Sequence, residues 1–181
     1  MIFWQTARTA QRARPGQRVP TRRASQLDRF TIAIDTRERY PYKFTGRPVE
    51  RERIALPVGD YAVRHDEAFV AAVERKTPED FNKSLIDGSL NYALAELAAL
   101  PAAAVVVEQR YGALLNDPHA QPGWLLELVA RLQVRYPTVP VVFADPRKLA
   151  EEYTYRFLAA ALVHHAPDDD GLHGSQDDGK P

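Results

Sequence analysis

Between Phe30 and Val163 the apolar residues fall into two patterns, short runs of strand type and longer stretches at helical spacing. Phe30-Thr-Ile-Ala-Ile-Asp35 is short, apolar and rich in β-branched residues, so it predicts a strand. Residues 40–50 contain Pro41, Gly46 and Pro48 and predict a loop. Arg53 to Pro57 predicts a second strand or an edge segment, since proline cannot donate within a central ladder. Gly59 and Asp60 form a turn, Tyr61 to Val63 opens the next strand, and Ala68 to Val73 continues the sheet as far as Glu74. Thr77 then suits an N-cap and Pro78 the first helical position, while Glu79 and Asp80 complement the positive end of the helix. Asp87-Gly88 breaks that helix. Leu90, Leu94, Leu97 and Ala98 recur at helical spacing up to Pro101. Ala103 to Glu108 reads as a buried strand, Pro122 to Pro137 as a helix, Val139 to Phe143 as a strand, and Leu149 to Val163 as a final amphipathic helix. Strands come first and then alternate with helices, which predicts an α/β fold with a mixed central sheet flanked by helices.

The ends of the chain differ from this middle. Residues 1–28 have no sustained period and read as a basic, disordered arm, with residues 29–166 as the folded domain and 167–181 as an acidic, disordered tail. The formal net charge of zero conceals this asymmetry: residues 1–27 hold six arginines and no acid, whereas residues 167–181 hold five aspartates and one lysine. Arginine pairs bidentately with phosphate, so Arg22 and Arg23 of the arm are candidate DNA contacts; a solvated tail is the alternative. The start is Arg-rich and acid-poor, as transit peptides are, but has no apolar stretch of secretory type. No apolar run is long enough for a membrane span. With no cysteine, disulfides, thiolate metal sites and cysteine nucleophiles are excluded, which fits a cytoplasmic or nucleoid-associated protein. GxGxxG and GxxxxGK[ST] are both missing, so nucleotide binding of those types is not indicated.

The candidate chemistry sits on strand ends and the turns beside them. Asp35 closes the first predicted strand, Asp60 follows Gly59, and Glu74-Arg75-Lys76 ends the strand from Ala68, with Asp80 in the helical turn beyond. Hydrolysis of a phosphodiester needs a hard cation to hold the phosphate and lower the pKa of water, and magnesium is served by two or three carboxylates. A lysine beside it can orient water and offset charge building on phosphorus. In a strand, Glu74 and Lys76 share a face and Arg75 takes the other. Asp60, fourteen residues before Glu74, is about a hairpin away.

A bare D…ExK is weak, but here it has company. Ile34-Asp-Thr-Arg-Glu38, Leu56-Pro-Val-Gly-Asp-Tyr61 and Val73-Glu-Arg-Lys-Thr-Pro-Glu-Asp-Phe81, with Ser84 and Asp87-Gly88, resemble the nuclease domain of the XPF-type structure-specific endonucleases, within the PD-(D/E)XK superfamily. The resemblance runs from about Ile32 to at least Glu108. It implies a restriction-endonuclease-like fold and an endonuclease dependent on Mg2+ or Mn2+ that cuts branched or flap DNA in repair or recombination. Asp60 and Glu74 would be metal ligands, with Asp35 a further one. Lys76 would position the attacking water. Arg75 would support the site or meet a phosphate, Glu38 and Arg37 would line the pocket, with Arg37 a DNA contact, and Asp80 would complete the acidic cluster or hold Arg75 or Lys76. Members of the family pair through this domain, so a homodimer or a partner subunit is expected.

Two departures stand out. Gly88-Ser89-Leu90 replaces the family's Gly-Arg-Leu, and no segment after Val163 matches its helix-hairpin-helix module. A non-catalytic DNA-binding or assembly subunit is therefore the rival reading, with a sequence-specific nuclease of the same superfamily as a second. Plainer roles also exist for single residues. Asp35 can cap a turn, Glu74 and Lys76 can form a surface pair, and Asp80 can serve the helix dipole. Trp124 and Phe157 are expected in the core, and Tyr40 and Tyr42 in turn packing or, alternatively, stacked on unpaired bases. His164 and His165 suit a helix end better than a metal.

Overall fold

A computed structural model describes Leu27, residues 29–116, Gln121 and residues 123–165. Apart from Leu27, the predicted arm, with Arg22 and Arg23, lies outside the described residues, as does the acidic tail. Strands β1 (Phe30–Asp35), β2 (Val49–Ile54), β3 (Tyr61–His65), β4 (Ala68–Lys76), β5 (Ala102–Val107) and β6 (Val141–Phe143) form one sheet in the order β2-β1-β3-β4-β5-β6. Only β3 runs antiparallel to its neighbours. The carboxyl ends of the other five strands, and the turn that leads into β3, therefore meet at one end of the sheet.

Helices cover both faces: α1 (Pro78–Ile86), α2 (Ser89–Leu97) and α3 (Trp124–Arg135) on one, α4 (Arg147–His165) on the other. The alternation of each strand decides which core a side chain joins. Ile32, Ile34, Val73 and Val106 pack with Ala150 and Leu158 of α4. Ala33, Ala72, Val105 and Val107 pack with Phe81, Leu94 and Leu125. Truncating a fully buried leucine such as Leu94 to alanine costs about 2–5 kcal/mol in cores of this kind. The mixed sheet between helical layers is the α/β fold expected from the order of elements.

The elements differ from expectation in several places; β6 starts at Val141 and α4 at Arg147, each two residues from the expected start. The second strand is Val49–Ile54, where residues 40–50 read as loop and Arg53 to Pro57 as strand. Its sequence, Val-Glu-Arg-Glu-Arg-Ile, has no apolar period because it is an edge strand paired only with β1. Its charges pair outward, as in Arg64–Glu52 at 2.7 Å, and a charged edge resists pairing with another chain. The helix expected from Pro122 begins at Trp124, after Gly123 at φ 85°, and a short 3-10 helix, Tyr111–Asn116, had no sequence signal. Trp124, expected in the core, is 43% exposed because it stands in the first turn of α3, while Phe157 does pack against the α4-side core.

Candidate active site

The turn before β3 and the end of β4 assemble the site. Gly59 has φ +77°, a conformation in which a side chain is strained, and an added Cβ would lie 3.2 Å from both Ala72 Cβ and the Val73 carbonyl oxygen. The glycine lets the turn close against β4. The next residue, Asp60, is then pinned on three sides: its N–H donates to the Val73 carbonyl at 2.9 Å, its carbonyl accepts from Asp35 N at 2.9 Å, and its Oδ2 accepts from Arg75 N at 2.7 Å. Glu74 and Lys76 follow on the same face of β4, and Lys76 Nζ lies 2.8 Å from Glu74 Oε1.

The electrostatics reflect this crowding. Burial and the neighbouring charge of Glu74 push the Asp60 carboxyl up to about 7, against a smaller lowering by the Arg75 N–H. Lys76 is also partly buried, which works against its charge, but Glu74 and Asp60 outweigh burial and raise its pKa. It therefore carries an ammonium group at neutral pH and can offset negative charge rather than take a proton. Asp80 Oδ2 accepts from the Thr77 hydroxyl at 2.9 Å, and Thr77 Oγ1 in turn accepts from Asp80 N at 3.2 Å, so the residue closes the N-cap of α1. Its charge also reaches Lys76 and adds to the raising of that pKa, after Glu74 and Asp60.

Asp35 lies on the same face and is fully engaged. Its Oδ1 accepts from Arg37 N at 2.7 Å and Arg37 Nε at 2.9 Å; its Oδ2 accepts from Arg37 Nη2 at 3.0 Å and Leu56 N at 2.9 Å. A carboxylate has about four acceptor sites, and all are filled here. The Arg37 hydrogen bond, outweighing burial, lowers the Asp35 pKa to about 2. Asp35, expected from the resemblance as a further metal ligand, here clamps a turn and holds Arg37. Among the described residues no group of three or more acids or histidines is arranged to hold a metal ion. Arg37 remains exposed at the rim, where the charges of Asp60 and Glu74, after that of Asp35, contribute to raising its pKa.

Arg75 and Glu38, both placed in the catalytic group from the sequence, lie on the other face of the sheet. Arg75 Nε and Nη2 donate to Glu108 Oε1 and Oε2 at 2.8 and 3.0 Å, and Nη1 reaches Glu38 Oε2 at 3.3 Å. Glu38 Oε1 also accepts from Tyr40 N at 2.7 Å. Glu108 Oε1 accepts in addition from the Tyr42 hydroxyl at 2.9 Å and Arg147 Nη1 at 2.8 Å. For Arg75 this is the face that strand alternation implies, since its side chain points away from its neighbours Glu74 and Lys76. Its backbone N–H, holding Asp60, is what it gives directly to the acidic face. Glu108, Tyr42 and Arg147 complete this cluster; Glu108 and Arg147 have no role from the sequence, and Tyr42 is buried in packing, the first of its two expected readings. The available signal was a glutamate directly after three buried valines, one register beyond Lys76–Val107 in the β4–β5 ladder.

A family model described as the ERCC4 domain matches residues 34–157 of this chain. The chain belongs to that family. This ERCC4 domain is similar to the structure of XPF from Aeropyrum pernix, with 27% identity and a TM-score of 0.60 over 72% of this chain and 61% of that one. A second structure, XPF from Aeropyrum pernix in complex with DNA, shares the fold at 24% identity and a TM-score of 0.55, over 77% of this chain and 68% of that one. The chain thus spans 61% of the first of these. No curated protein matches it. The fold is that of an XPF-type nuclease domain. The matched residues include Asp35, Asp60, Glu74 and Lys76, helices α1 to α3 and α4 as far as Phe157.

Proposed function

We propose that this ERCC4 domain is a divalent-metal-dependent DNA endonuclease acting at branched or flap structures. One observation carries the reading: two carboxylates and one ammonium, from separate segments, converge on one face at the carboxyl end of the sheet. In α/β sheets that end is where ligands are generally bound. Asp60 and Glu74 would hold the cation. Their donor set fits magnesium or manganese, which bind through one or two carboxylates and complete their shells with water and phosphate oxygens. When bound, such a cation polarises the phosphate and makes water a stronger nucleophile. Glu74 keeps Lys76 protonated and aimed into the site, where its ammonium offsets charge developing on phosphorus. Arg37, held flat by Asp35 and exposed, is placed to meet a neighbouring phosphate. A role in DNA repair, the preference for branches, and pairing with a second copy or another subunit belong to the same proposal through the family.

The rival, a DNA-binding or assembly subunit without activity, draws support from the engagement of Asp35, which leaves Asp60 and Glu74 as the two acids for a cation. One experiment separates them. Labelled flap, fork and unbranched duplex DNA are incubated with the protein and magnesium or manganese, and again with Asp60→Ala, Lys76→Ala or chelator. The proposal expects cuts near the branch that all three treatments reduce at least about a hundredfold, an effect of the size seen when one charge-stabilising group is removed, with DNA binding retained. Binding without cleavage by the unaltered protein supports the rival. Equal cutting of unbranched duplex removes the branch preference.

A further inference from the structure

Behind the Arg75–Glu108 cluster, on the α4 side of the sheet, the loop through residues 39–47 and the start of α4 enclose a groove of about 940 Å³. Six cationic side chains line it against two carboxylates, Glu151 and Glu152. The carboxylates are committed: Glu152 pairs with Arg47, and Glu151 accepts from Phe44 N. Arg147 is committed too, to Glu108 and the Tyr40 carbonyl. Arg39, Lys43, Arg51 and Lys148 are exposed and have no hydrogen-bond or ion-pair partner among the described residues. Four unpaired cations around one concavity repel one another, and nothing in the fold uses them. At the mouth stands Tyr40, 75% exposed, while its neighbour Tyr42 is buried and forms the wall between the groove and Arg75.

We propose that this groove binds a single-stranded segment of nucleic acid, with Arg39, Lys43, Arg51 and Lys148 on its phosphates and Tyr40 stacked on a base. Cations interleaved with an exposed aromatic ring match the chemistry of a strand whose bases are unstacked; a duplex offers phosphates but no free base face. The position adds a geometric reason. Arg75 separates the two faces: Glu74 and Lys76 flank it on one side, and Tyr42 lies under its guanidinium on the other, 5.7 Å from ring centroid to Cζ. The candidate active site and the groove thus sit on opposite faces of the same sheet end. Two strands diverging from a junction can pass one on each side of it. The use at a junction rests on the nuclease reading, whereas binding in the groove requires none of its chemistry.

The test uses the full chain in chelator and fluorescein-labelled oligothymidylate of about a dozen nucleotides, followed by anisotropy at several salt concentrations. Arg39→Ala, Lys43→Ala and Lys148→Ala together should weaken binding at least tenfold and lower the slope of log affinity against log salt by about 2, at roughly 0.7 per lost phosphate contact. Tyr40→Ala should weaken it about fivefold or more with the slope unchanged, and Tyr40→Phe should restore it. Arg131→Ala, an exposed cation on α3 outside both the groove and the candidate active site, should bind as the unaltered protein does, and because the assay runs in chelator, loss of the nuclease reading would leave this result standing. The proposal is overturned if the unaltered protein does not bind the oligonucleotide, or if the triple variant keeps its affinity and slope. It is equally overturned if duplex of the same length binds as well and responds to Tyr40→Ala in the same way, or if polyglutamate competes at concentrations where oligothymidylate does not.

Discussion

Replacing Arg75 by methionine should destabilise the fold, whereas replacing Lys76 by methionine should not, although the two residues are adjacent and both cationic. Arg75 is 10% exposed and makes two well-aligned charged hydrogen bonds to Glu108, itself 9% exposed, at 2.8 and 3.0 Å. Charge-assisted bonds of this type contribute about 1.5–3 kcal/mol each, and breaking a buried pair by removing one partner costs about 3–5 kcal/mol. Arg147 and the Tyr42 hydroxyl remain on Glu108, and Tyr40 N on Glu38, so the lower end applies, about 3 kcal/mol. Lys76 makes one ion pair, with Glu74, and recovers the penalty of its own partial burial, so its loss should stay within about 1 kcal/mol. Urea unfolding followed by circular dichroism reads both, through the shift in midpoint at constant slope. An Arg75→Met midpoint equal to that of the unaltered protein, or equal losses from the two variants, would refute the division of the sheet into a supporting and a reacting face.

Two further outcomes follow from the turn geometry. Asp35 has its pKa held near 2, below its ordinary 3.8, so its contribution to stability is complete above about pH 4 and is lost as pH falls toward 2. The span corresponds to about 2.5 kcal/mol, and Asp35→Asn should flatten the stability profile in that window when acid unfolding is monitored by tyrosine fluorescence. Gly59→Ala meets Ala72 Cβ and the Val73 carbonyl at 3.2 Å with φ at +77°, so it should lower stability by about 1–3 kcal/mol and reduce cleavage beyond what the lost stability explains; unchanged cleavage would show that Asp60 does not depend on this turn.

Why the sequence revealed some of this and not the rest has a physical basis. The strands β1, β4 and β5 lie inside the sheet, so their apolar runs announce them; β2 lies at the edge, carries four charges in six residues and announces nothing. The i, i+2 rule placed Glu74 and Lys76 together and sent Arg75 away, because strand alternation is local. It could not say what waits on the other face. The partner of Arg75 is Glu108, thirty-three residues on, and only the parallel β4–β5 register brings it there. The resemblance implies that Glu38 lines the acidic pocket with Asp35 and Arg37, whereas the turn after β1 carries its side chain to Arg75 on the other face. The resemblance makes Asp35 a candidate ligand, and nothing in the sequence counts its acceptor sites; the four donors that fill them here include Leu56 N, from a separate segment.

The acidic face also makes a claim about stability. Asp60 titrates at about 7 against an ordinary 3.8, because burial and Glu74 both disfavour its charged form. In the unfolded chain the proton leaves near the ordinary value, so the folded state binds more protons between the two. Stability must then fall as pH rises from about 4 to 7 and level off above the folded value. The full shift would correspond to about 4 kcal/mol, and relaxation of a half-buried, closely paired site brings the expected penalty to on the order of 2 kcal/mol. Asp60→Asn removes the charge and keeps an oxygen for Arg75 N. It should therefore be more stable than the unaltered protein at pH 8, equal to it near pH 4, and inactive on flap DNA, as expected where a site keeps charges the fold would shed. Urea midpoints at the two pH values in chelator decide this. An Asp60→Asn variant that is less stable at pH 8 would mean that the carboxylate serves the fold, and the case for a pair of acids held ready for a cation would fail with it.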